Sequence, residues 1–447
     1  MISSIMNLLR TAWRLILIWA DAFRALWALR GAAVLAVRDR NRLAEKLIAP
    51  EPQRHVLAIL RAWAPNISLK RQVVKAYENT GTSVVTRRED VLDVLSRDED
   101  FEVVYGPRMR ELTGGANFFL GMQPGWDYTR DTSAMRLAMR HSDVPRVVLP
   151  RAIELSEQIV ASSEGMLDLP QALTLEVSWD IVARYFGLPG PDPEAIKNWA
   201  TTLFWYLFGD LGADPELRQR SMDSAKGLRN YIDVEIAQRK SQPTEKDDVL
   251  ARCLALQAAA TPGMDDLGIR NNLLGLVIGA IPTISKASCL ALDELLRRPE
   301  ALASARKAID AGDDQLFAGH IWEALRFNPH NPVIYRRATC DTQIARSSLR
   351  EKQITNGQMV FVSTLSAMFD RLDIDSPLDF KPDRPFNTHI IWGKGMHSCF
   401  GAQVNQAVIP AILKPLIAKP SLRRAEDARG QISAGGTPFP QHFHIAY

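Results

Sequence analysis

The sequence predicts a mainly α-helical fold with small β-sheets, an α+β fold. One helical pattern runs without interruption over residues 265–298 and is closed by Pro299. Residues 150–260 show further helical patterns, one after another. Short apolar or β-branched runs bounded by turn residues indicate strands at residues 83–86 and between residues 333 and 363. Long helices therefore form the body, and the strands are too short for more than small sheets.

The composition is that of a globular protein with a sizeable core. The 447 residues are 46% hydrophobic and 23% charged. A net charge of +3 gives no reason to expect nucleic-acid binding, so no nucleic-acid partner is predicted. The four cysteines are scattered without a C-x-x-C pair, which indicates neither a disulfide framework nor a zinc cluster. A reducing, intracellular location fits this cysteine usage.

Residues 1–50 are predicted to form a basic amphipathic segment, separate from a body at residues 51–447. They carry eight Lys or Arg and three Asp or Glu residues, a net charge of +5. Their apolar runs are too short to span a membrane, and no signal-peptide cleavage pattern follows them. A helical wheel places polar residues opposite apolar ones: Arg10, Arg14, Asp21 and Arg24 against Leu15, Trp19, Phe23 and Leu26. Two interpretations stand: a helix packed on protein, or a helix that binds a membrane surface.

One cysteine, Cys399, lies in a glycine-rich loop directly before the apolar run Ala402–Ile417. The glycines at 393, 395 and 401 allow positive φ and a close approach to a large flat object. A helix that begins behind the sulfur stabilises its negative charge. A single thiolate cannot form a four-ligand zinc site, but it can be the axial ligand of an iron held by a macrocycle.

This loop resembles the haem-binding loop of the cytochrome P-450 superfamily, whose bacterial pattern is F-G-x-G-x-H-x-C-x-G. Trp392 replaces the phenylalanine, and the other fixed positions match: Gly393, Gly395, His397, Cys399 and Gly401. The resemblance implies the cytochrome P-450 fold, a triangular helical prism, over residues 51–447. It also implies a buried haem b (iron protoporphyrin IX) with Cys399 as its proximal ligand.

The centre of the longest helical pattern is similar to the oxygen groove of that family, A/G-G-x-D/E-T. Gly279, Ala280 and Thr283 fit this pattern, but Pro282 stands where the family has an acid. Proline removes a backbone N–H and clashes with the carbonyl of Ile278, so a kink is expected. The resemblance implies that the Thr283 hydroxyl helps deliver protons. Without the acid, protons come through water or another residue, or the oxidant is a peroxide.

The resemblance also implies side chains that pair with the haem propionates, because buried carboxylates must be neutralised. His397 is one of them. For the next helix, counting back from Pro145 favours Arg136, whereas a W-x-x-x-R pattern from Trp126 favours Arg130; the first register is preferred. A further propionate contact is assigned to Arg336, with Arg337 as the competing choice.

A structural salt-bridge core is implied by two further motifs. Glu323 and Arg326 form an E-x-x-R pair on one helix face. Arg384 lies in Phe380–Pro385, which is similar to the family's F-x-P-x-R segment. The role implied for these three residues is structural and not catalytic.

The leading hypothesis is a haem-thiolate monooxygenase that hydroxylates or epoxidises an apolar small molecule or lipid with O2. Electrons come from NAD(P)H through a reductase and a separate ferredoxin- or flavodoxin-type partner. A second hypothesis, motivated by Pro282, is an isomerase or peroxygenase that uses peroxide or a lipid hydroperoxide. A third is a non-catalytic haem-binding sensor. The expected location is the cytoplasm, with residues 1–50 as a candidate contact to the inner face of the membrane.

Overall fold

The computed structural model describes residues 2–38, 49–242 and 245–447 of the protein. Its helices are α1 (Ile2–Arg38), α2 (Pro50–Trp63), α3 (Arg88–Ser96), α4 (Gly106–Thr113), α5 (Trp126–Ala138), α6 (Leu149–Ser162), α7 (Leu175–Ile181), α8 (Pro193–Phe204), α9 (Pro215–Ser241), α10 (Val249–Ala258), α11 (Asp266–Leu296), α12 (Pro299–Asp310), α13 (Asp314–Phe327), α14 (Thr364–Ala367) and α15 (Ala402–Ile417). Its strands are β1 (Asn66–Leu69), β2 (Thr82–Val85), β3 (Phe101–Glu102), β4 (Met166–Asp168), β5 (Ile334–Ala338), β6 (Thr342–Ile344), β7 (Lys352–Ile354), β8 (Met359–Val362), β9 (Arg423–Arg424) and β10 (His444–Ala446). The mainly helical fold with small sheets is thus confirmed.

The chain divides into two compact units. The first comprises Met1–Val73, Glu78–Glu102 and Trp322–Ser398, and the second comprises Val74–Tyr77, Val103–Ile321 and Cys399–Tyr447. Each unit is assembled from distant parts of the sequence, so its core depends on non-local packing.

The first unit is built on a five-stranded sheet with the order β1-β2-β8-β5-β3. Strands β2 and β8 are parallel, and the other neighbours are antiparallel. The apolar side chains of α3 and of these strands share one buried cluster: Val91, Val94, Leu95, Phe101, Val360 and Val362. Strands β6 and β7 form a separate hairpin in the same unit. The β-branched residues therefore lie where a half-buried pleated surface needs them.

Helix α1 belongs to the first unit and packs through a narrow face of small and charged residues. Ile18, Ala22 and Ala25 are buried. Asp21 accepts two hydrogen bonds from Arg371, one of them 3.0 Å long, and Arg14 donates to the Asp375 carboxylate over 2.5 Å. Two residues of the predicted polar face, Arg14 and Asp21, are therefore packed against residues about 350 positions away in the sequence, whereas Arg24 of that face is exposed. The predicted position of Arg10 on that face lies outside the described side chains.

Helix α2 begins at Pro50. Pro50 and Pro52 lie in the first turn, where a missing backbone N–H costs nothing because it has no intrahelical acceptor. The helix ends at Trp63, two residues before Pro65. The prolines thus mark the limits of this helix and do not interrupt it.

The second unit is mostly helical, and its central element is α11. The Asp265 side chain caps this helix by accepting from the backbone N–H of Gly268 over 2.7 Å. Helices α7, α8, α9 and α15 pack against it. The chain's last strand, β10, is the middle strand of a sheet with the order β4-β10-β9. Helix α11 is therefore the scaffold for the residues between Gly279 and Ser285.

Among the described helices, one is long and apolar enough to cross a membrane by length and composition. It is α11, and 67% of its most apolar window is buried inside the protein. That burial is the pattern of a core helix.

Candidate active site

Some of the residues that the sequence assigns to the haem lie in the first unit, and the others lie in the second unit. In the first unit the loop begins at Trp392, whose ring packs edge-on against Trp322 and stacks on Phe386, with centroid distances of 5.2 and 5.5 Å. The amide N–H of Met396 donates to the Asp98 carboxylate over 3.2 Å. These contacts hold the loop in one conformation before it reaches Cys399.

Two of the loop glycines adopt the left-handed backbone conformation. Gly393 has φ 74° and Gly395 has φ 79°. A Cβ atom at Gly395 would also collide with the carbonyl oxygen of Leu95. Both positions therefore favour glycine for conformational reasons, as the sequence analysis expected.

The expectation of positive φ is wrong for Gly401. Its φ is −88°, a value that any residue adopts. A Cβ atom there would meet nothing within 4 Å, so the space beside the glycine is open. Glycine at position 401 therefore keeps the adjoining space accessible, and the backbone conformation does not require it.

Cys399, in the second unit, lies just before the N-terminus of α15. The Asn405 side-chain amide lies 3.9 Å from its Sγ. Burial raises the pKa of the Cys399 thiol, while a backbone N–H of Gly401 and the charge of Arg136 act to lower that pKa. A hydrogen-bond donor, a helix N-terminus and a nearby cation therefore stabilise the thiolate form of Cys399. A bound metal cation would stabilise that form most.

Arg136 and Arg130 have different surroundings, although both lie on α5. Arg136 donates to the carbonyl oxygen of Phe400 over 3.0 Å, and its guanidinium lies 3.7 Å from the centroid of the Phe400 ring. Arg130 forms ion pairs with Asp127 and Asp131 at 2.9 and 2.7 Å. Because two carboxylates already neutralise Arg130, Arg136 is the better candidate for a propionate.

A similar contrast separates Arg336 from Arg337 on β5 in the first unit. Arg337 forms an ion pair with Glu102, in which Nε lies 2.7 Å from the carboxylate. Arg336 is 2% exposed and donates to the carbonyl of Tyr335 over 3.0 Å. Because Glu102 already neutralises Arg337, the assignment of a propionate to Arg336 stays the preferred prediction. His397, also in this unit, is half-buried.

The predicted oxygen groove lies at the middle of α11. Gly279 is exposed although its neighbour Ile278 is fully buried, and a Cβ atom at Gly279 would meet nothing within 4 Å. The Thr283 hydroxyl donates to the carbonyl of Gly279 over 2.5 Å. Pro282, next to Thr283 in the sequence, is buried. Gly279, Ala280 and Thr283 therefore border an open space on one face of the helix.

The three residues of the predicted salt-bridge core lie in direct contact within the first unit. Arg326 Nη2 and Arg384 Nε lie 2.7 and 3.0 Å from Glu323 Oε1. A fourth member, which no sequence motif predicted, is His389, whose Nε2 lies 3.2 Å from Glu323 Oε2. Burial alone would raise the pKa of Glu323, but hydrogen bonds from His389 and Arg326 lower it to about 2. No local pattern identifies His389, because its partner is 66 residues away.

The residues present fit a haem. In the second unit, open space adjoins both Gly279 and Gly401, and a thiol with a nearby cation is available as a ligand. Among the residues that the structure describes, no group of three or more His, Cys, Asp or Glu side chains is placed to hold a bare metal ion. A single thiolate is the ligand set expected for an iron that a macrocycle already holds.

The chain belongs to the Cytochrome P450 family, a family of haem-thiolate monooxygenases. The family model matches residues 79–416. Membership implies haem as the cofactor, and the haem, when bound, supplies the oxygen-activating chemistry.

Two curated bacterial proteins show the range of activities among its relatives. The chain is 27% identical over 257 residues to Cyclomarin C epoxidase CymV of Salinispora arenicola, covering 57% of this chain and 61% of that protein. It is 25% identical over 354 residues to Nocardicin C N-oxygenase of Nocardia uniformis, covering 76% of this chain and 83% of that protein. The first alignment thus spans less than two thirds of the relative's length.

Solved structures agree with the fold over most of the chain. The structure of P450BioI in complex with hexadec-9Z-enoic acid ligated acyl carrier protein matches with a TM-score of 0.75 at 19% identity, covering 89% of this chain and 99% of that chain. The structure of CalO2 matches with a TM-score of 0.72 at 22% identity, covering 89% of this chain and 96% of that chain. These likenesses support the fold alone.

Proposed function

We propose that the protein is a monooxygenase that hydroxylates or epoxidises an apolar organic substrate with O2. The observation that carries this proposal is the surroundings of Cys399, a single thiol at a helix N-terminus beside Arg136 and the open space at Gly401. Epoxidation and N-oxygenation by the relatives are consistent with this reaction class. The P450BioI complex carries a hexadecenoic acyl chain, and we extend that type of substrate, apolar or lipid, to this chain as part of the proposal.

The proposed residue roles combine the family resemblance of the sequence with the local contacts. Cys399 is the iron ligand, with Gly401, Gly393 and Trp392 shaping its loop. Cations and a histidine hold the propionates: Arg136, Arg336 and His397. The Thr283 hydroxyl, bonded to the Gly279 carbonyl, holds a proton at the wall of the open space. Electrons come from a separate ferredoxin- or flavodoxin-type partner that an NAD(P)H reductase keeps reduced.

The experiment that tests this proposal compares two cysteine variants. Reduced, carbon-monoxide-treated protein is expected to show the Soret band of thiolate-ligated haem. Cys399→Ala abolishes that band, whereas Cys340→Ala retains it because Cys340 is exposed on the segment between β5 and β6. A wild-type protein without the band, or a Cys399→Ala variant that keeps it, would overturn the assignment.

Pro282 favours a second candidate, a peroxide- or lipid-hydroperoxide-using enzyme of the same fold. The family's acid is absent at this position, and proline offers no proton. In the monooxygenase, Thr283→Val removes the only hydroxyl at the groove sequence 279–283 and lowers product formed per NAD(P)H. In the peroxide-using enzyme, turnover needs no reductase and Thr283→Val changes it little. Parallel assays with both oxidants separate the two.

The proposed membrane contact rests on the outward face of α1, here named the aromatic patch. Its side chains are large and apolar, and each is at least 39% exposed: Trp13, Leu15, Ile16, Trp19, Phe23, Leu26 and Trp27 of α1, with Trp63 of α2. The Trp63 ring packs edge-on against Trp19 and Phe23, with centroid distances of 5.9 and 5.7 Å. Contiguous exposed patches of this kind mark interaction sites.

The occupant that we propose for the aromatic patch is an anionic bilayer surface. Tryptophan is favoured at the boundary between headgroups and acyl chains. Residues 1–50 carry a net charge of +5, and two of their cations, Arg24 and Arg30, are exposed. Apolar insertion and attraction to acidic lipids thus act together. This contact would hold the enzyme in the cytoplasm at the inner face of the membrane.

Vesicle flotation tests the membrane contact. Wild-type protein is expected to float with vesicles of phosphatidylcholine and phosphatidylglycerol, and a Trp19→Ser/Trp27→Ser variant is not. Trp126→Ser is the matched control, since Trp126 is 70% exposed, the same as Trp27, but lies on α5. Equal flotation of wild type and patch variant would refute the contact. A wild-type dimer that does not float would identify a second copy as the occupant instead.

A further inference from the structure

One charged side chain on the open face of α11 has no role in the proposed site. The face is defined by Gly279, Thr283 and Lys286, which are spaced i, i+4 and i+7 and therefore share one side of the helix. Gly279 is exposed, and Thr283 and Lys286 are half-buried. Ser285 and Ala287, on either side of Lys286, are buried. Lys286 thus lies at the wall of an open space and not in a packed core.

The surroundings of Lys286 are aromatic. Its Nζ lies 5.6 Å from the centroid of the Phe439 ring. Phe439 packs edge-on against Phe204, and Phe204 packs against Phe208, with centroid distances of 5.7 and 4.5 Å. Phe439 and Phe204 are buried. An ammonium group over one ring gains about 0.5–2 kcal/mol, which does not replace a full counter-ion.

No carboxylate lies within ion-pair distance of Lys286 among the residues that the structure describes. Burial lowers the pKa of Lys286 to about 8, so most of it is still charged at neutral pH. Lys197 shows the usual arrangement, because that buried lysine contacts the carboxylates of Glu176 and Glu194. A half-buried cation without a counter-charge costs stability, so its presence at an open space points to a ligand.

We propose that Lys286 binds the carboxylate of an apolar organic acid, which is the substrate of the proposed oxidation. The apolar body of the acid lies against Phe439, Phe204 and the Gly279–Thr283 side of the open space. The carboxylate supplies the counter-charge that Lys286 lacks, and a charge-assisted hydrogen bond forms between Nζ and oxygen. This inference rests on the proposed function, because it names the class of substrate at that site.

The test compares one acid with its uncharged analogues in the haem-loaded enzyme. Isothermal titration calorimetry and the ferric absorption shift measure the binding of hexadecanoic acid, its methyl ester and the corresponding alcohol. Wild type is expected to bind the acid at least about tenfold more tightly than the ester, the usual worth of a hydrogen bond to a charged group. Lys286→Met is expected to bind acid and ester equally.

Two further variants separate charge from packing. Lys286→Arg keeps the positive charge and is expected to retain most of the preference for the acid. Lys226→Met removes an exposed lysine of α9 and is expected to leave the preference unchanged. Circular dichroism of each variant shows whether the fold is intact.

The results that would overturn the carboxylate site differ from the results that would overturn the proposed function. An acid-to-ester ratio that is the same in wild type and Lys286→Met overturns the carboxylate site. So does a wild type in which the acid binds no more tightly than the ester. The ratio of the affinities for acid and ester is measured by calorimetry and needs no turnover. Loss of the thiolate-type Soret band would overturn the oxidation chemistry, but the affinity ratio could still be measured.

Discussion

At the scale of single residues, Glu323 is the buried charge on which the first unit depends. It is fully buried, and it accepts from Arg326, Arg384, His389 and the backbone N–H of Lys381. Removing one partner of such a buried cluster typically costs about 3–5 kcal/mol, because the remaining charges stay buried without compensation. The carboxylate therefore acts as a structural anchor.

The lowered pKa of Glu323 predicts an acid-sensitive fold. In the unfolded chain this carboxyl titrates near its ordinary value, and in the folded chain its pKa is about 2. Its stabilising effect is thus complete above about pH 4.5, and it is lost as the pH falls toward 2. Urea unfolding between pH 7 and pH 3 should show this loss in wild type.

The matched variant for this prediction is Glu323→Gln. At pH 7 it should be less stable by about 3 kcal/mol or more, and its stability should depend less on pH below 4.5. If wild type and variant lose stability in parallel over that pH range, the carboxylate is not the group responsible.

The loop glycines allow a second prediction at the same scale. Gly395→Ala should reduce both folding stability and haem content, because of its positive φ and the collision with Leu95. Gly401→Ala should fold as stably as wild type without haem but bind less haem, because only open space adjoins that position. Thermal unfolding of the haem-free proteins and haem titration measure the two effects. Equal haem affinity of Gly401→Ala and wild type would contradict the second part.

At the scale of elements, the sequence predicted the two faces of α1 but not which of them packs. Ordinary amphipathic helices bury the apolar face. Here the packed face contains Arg14 and Asp21, whose partners Asp375 and Arg371 are too distant in sequence for any local pattern to identify. By contrast, α11 and α15 were predicted nearly to the residue, because their limits are set by local capping and turn residues.

The docking of α1 yields a prediction with an internal control. Asp21→Asn leaves the guanidinium of Arg371 without its buried counter-charge and should lower stability by about 3 kcal/mol. Asp375→Asn should cost less than about 1 kcal/mol, because that carboxylate is 82% exposed. Hydrogen exchange over residues 11–31 reports the docking directly. Similar exchange rates in the two variants would argue against the ion pair as the anchor.

At the scale of the whole molecule, charge is distributed unevenly along the chain. Residues 1–50 carry a net charge of +5, while the rest of the chain nets −2. Attraction to acidic lipids should therefore come from the N-terminal segment and weaken with salt, since charges are screened within about 10 Å at 0.1 M ionic strength.

Vesicle binding at two salt concentrations tests whether the charge of residues 1–50 attracts acidic lipids. Raising NaCl from about 0.05 to about 0.5 M shortens the screening length from about 14 to about 4 Å. This change should weaken binding to acidic vesicles severalfold. The Trp19→Ser/Trp27→Ser variant should bind weakly at both. Binding of wild type that is independent of salt would show that the apolar contribution alone suffices.

Across the whole molecule, the sequence predicted what contiguous motifs encode and missed what tertiary packing creates. The cysteine loop, the groove residues and the E-x-x-R pair are each local. The contact of Arg136 with the Phe400 carbonyl joins residues 264 positions apart, and the contact of Lys286 with the Phe439 ring also joins distant parts of the chain. Burial and pairing decide such cases, and neither is visible in a linear pattern.

The aromatic patch, seven apolar side chains of α1 with Trp63 of α2, also bears on how this protein behaves at the bench. Eight large apolar side chains in contact with buffer are a source of self-association whenever no lipid is present. Particle size measured by gel filtration should therefore fall when a mild detergent is added. Preparations made without detergent would then yield mixed aggregates whose apparent activity varies with protein concentration.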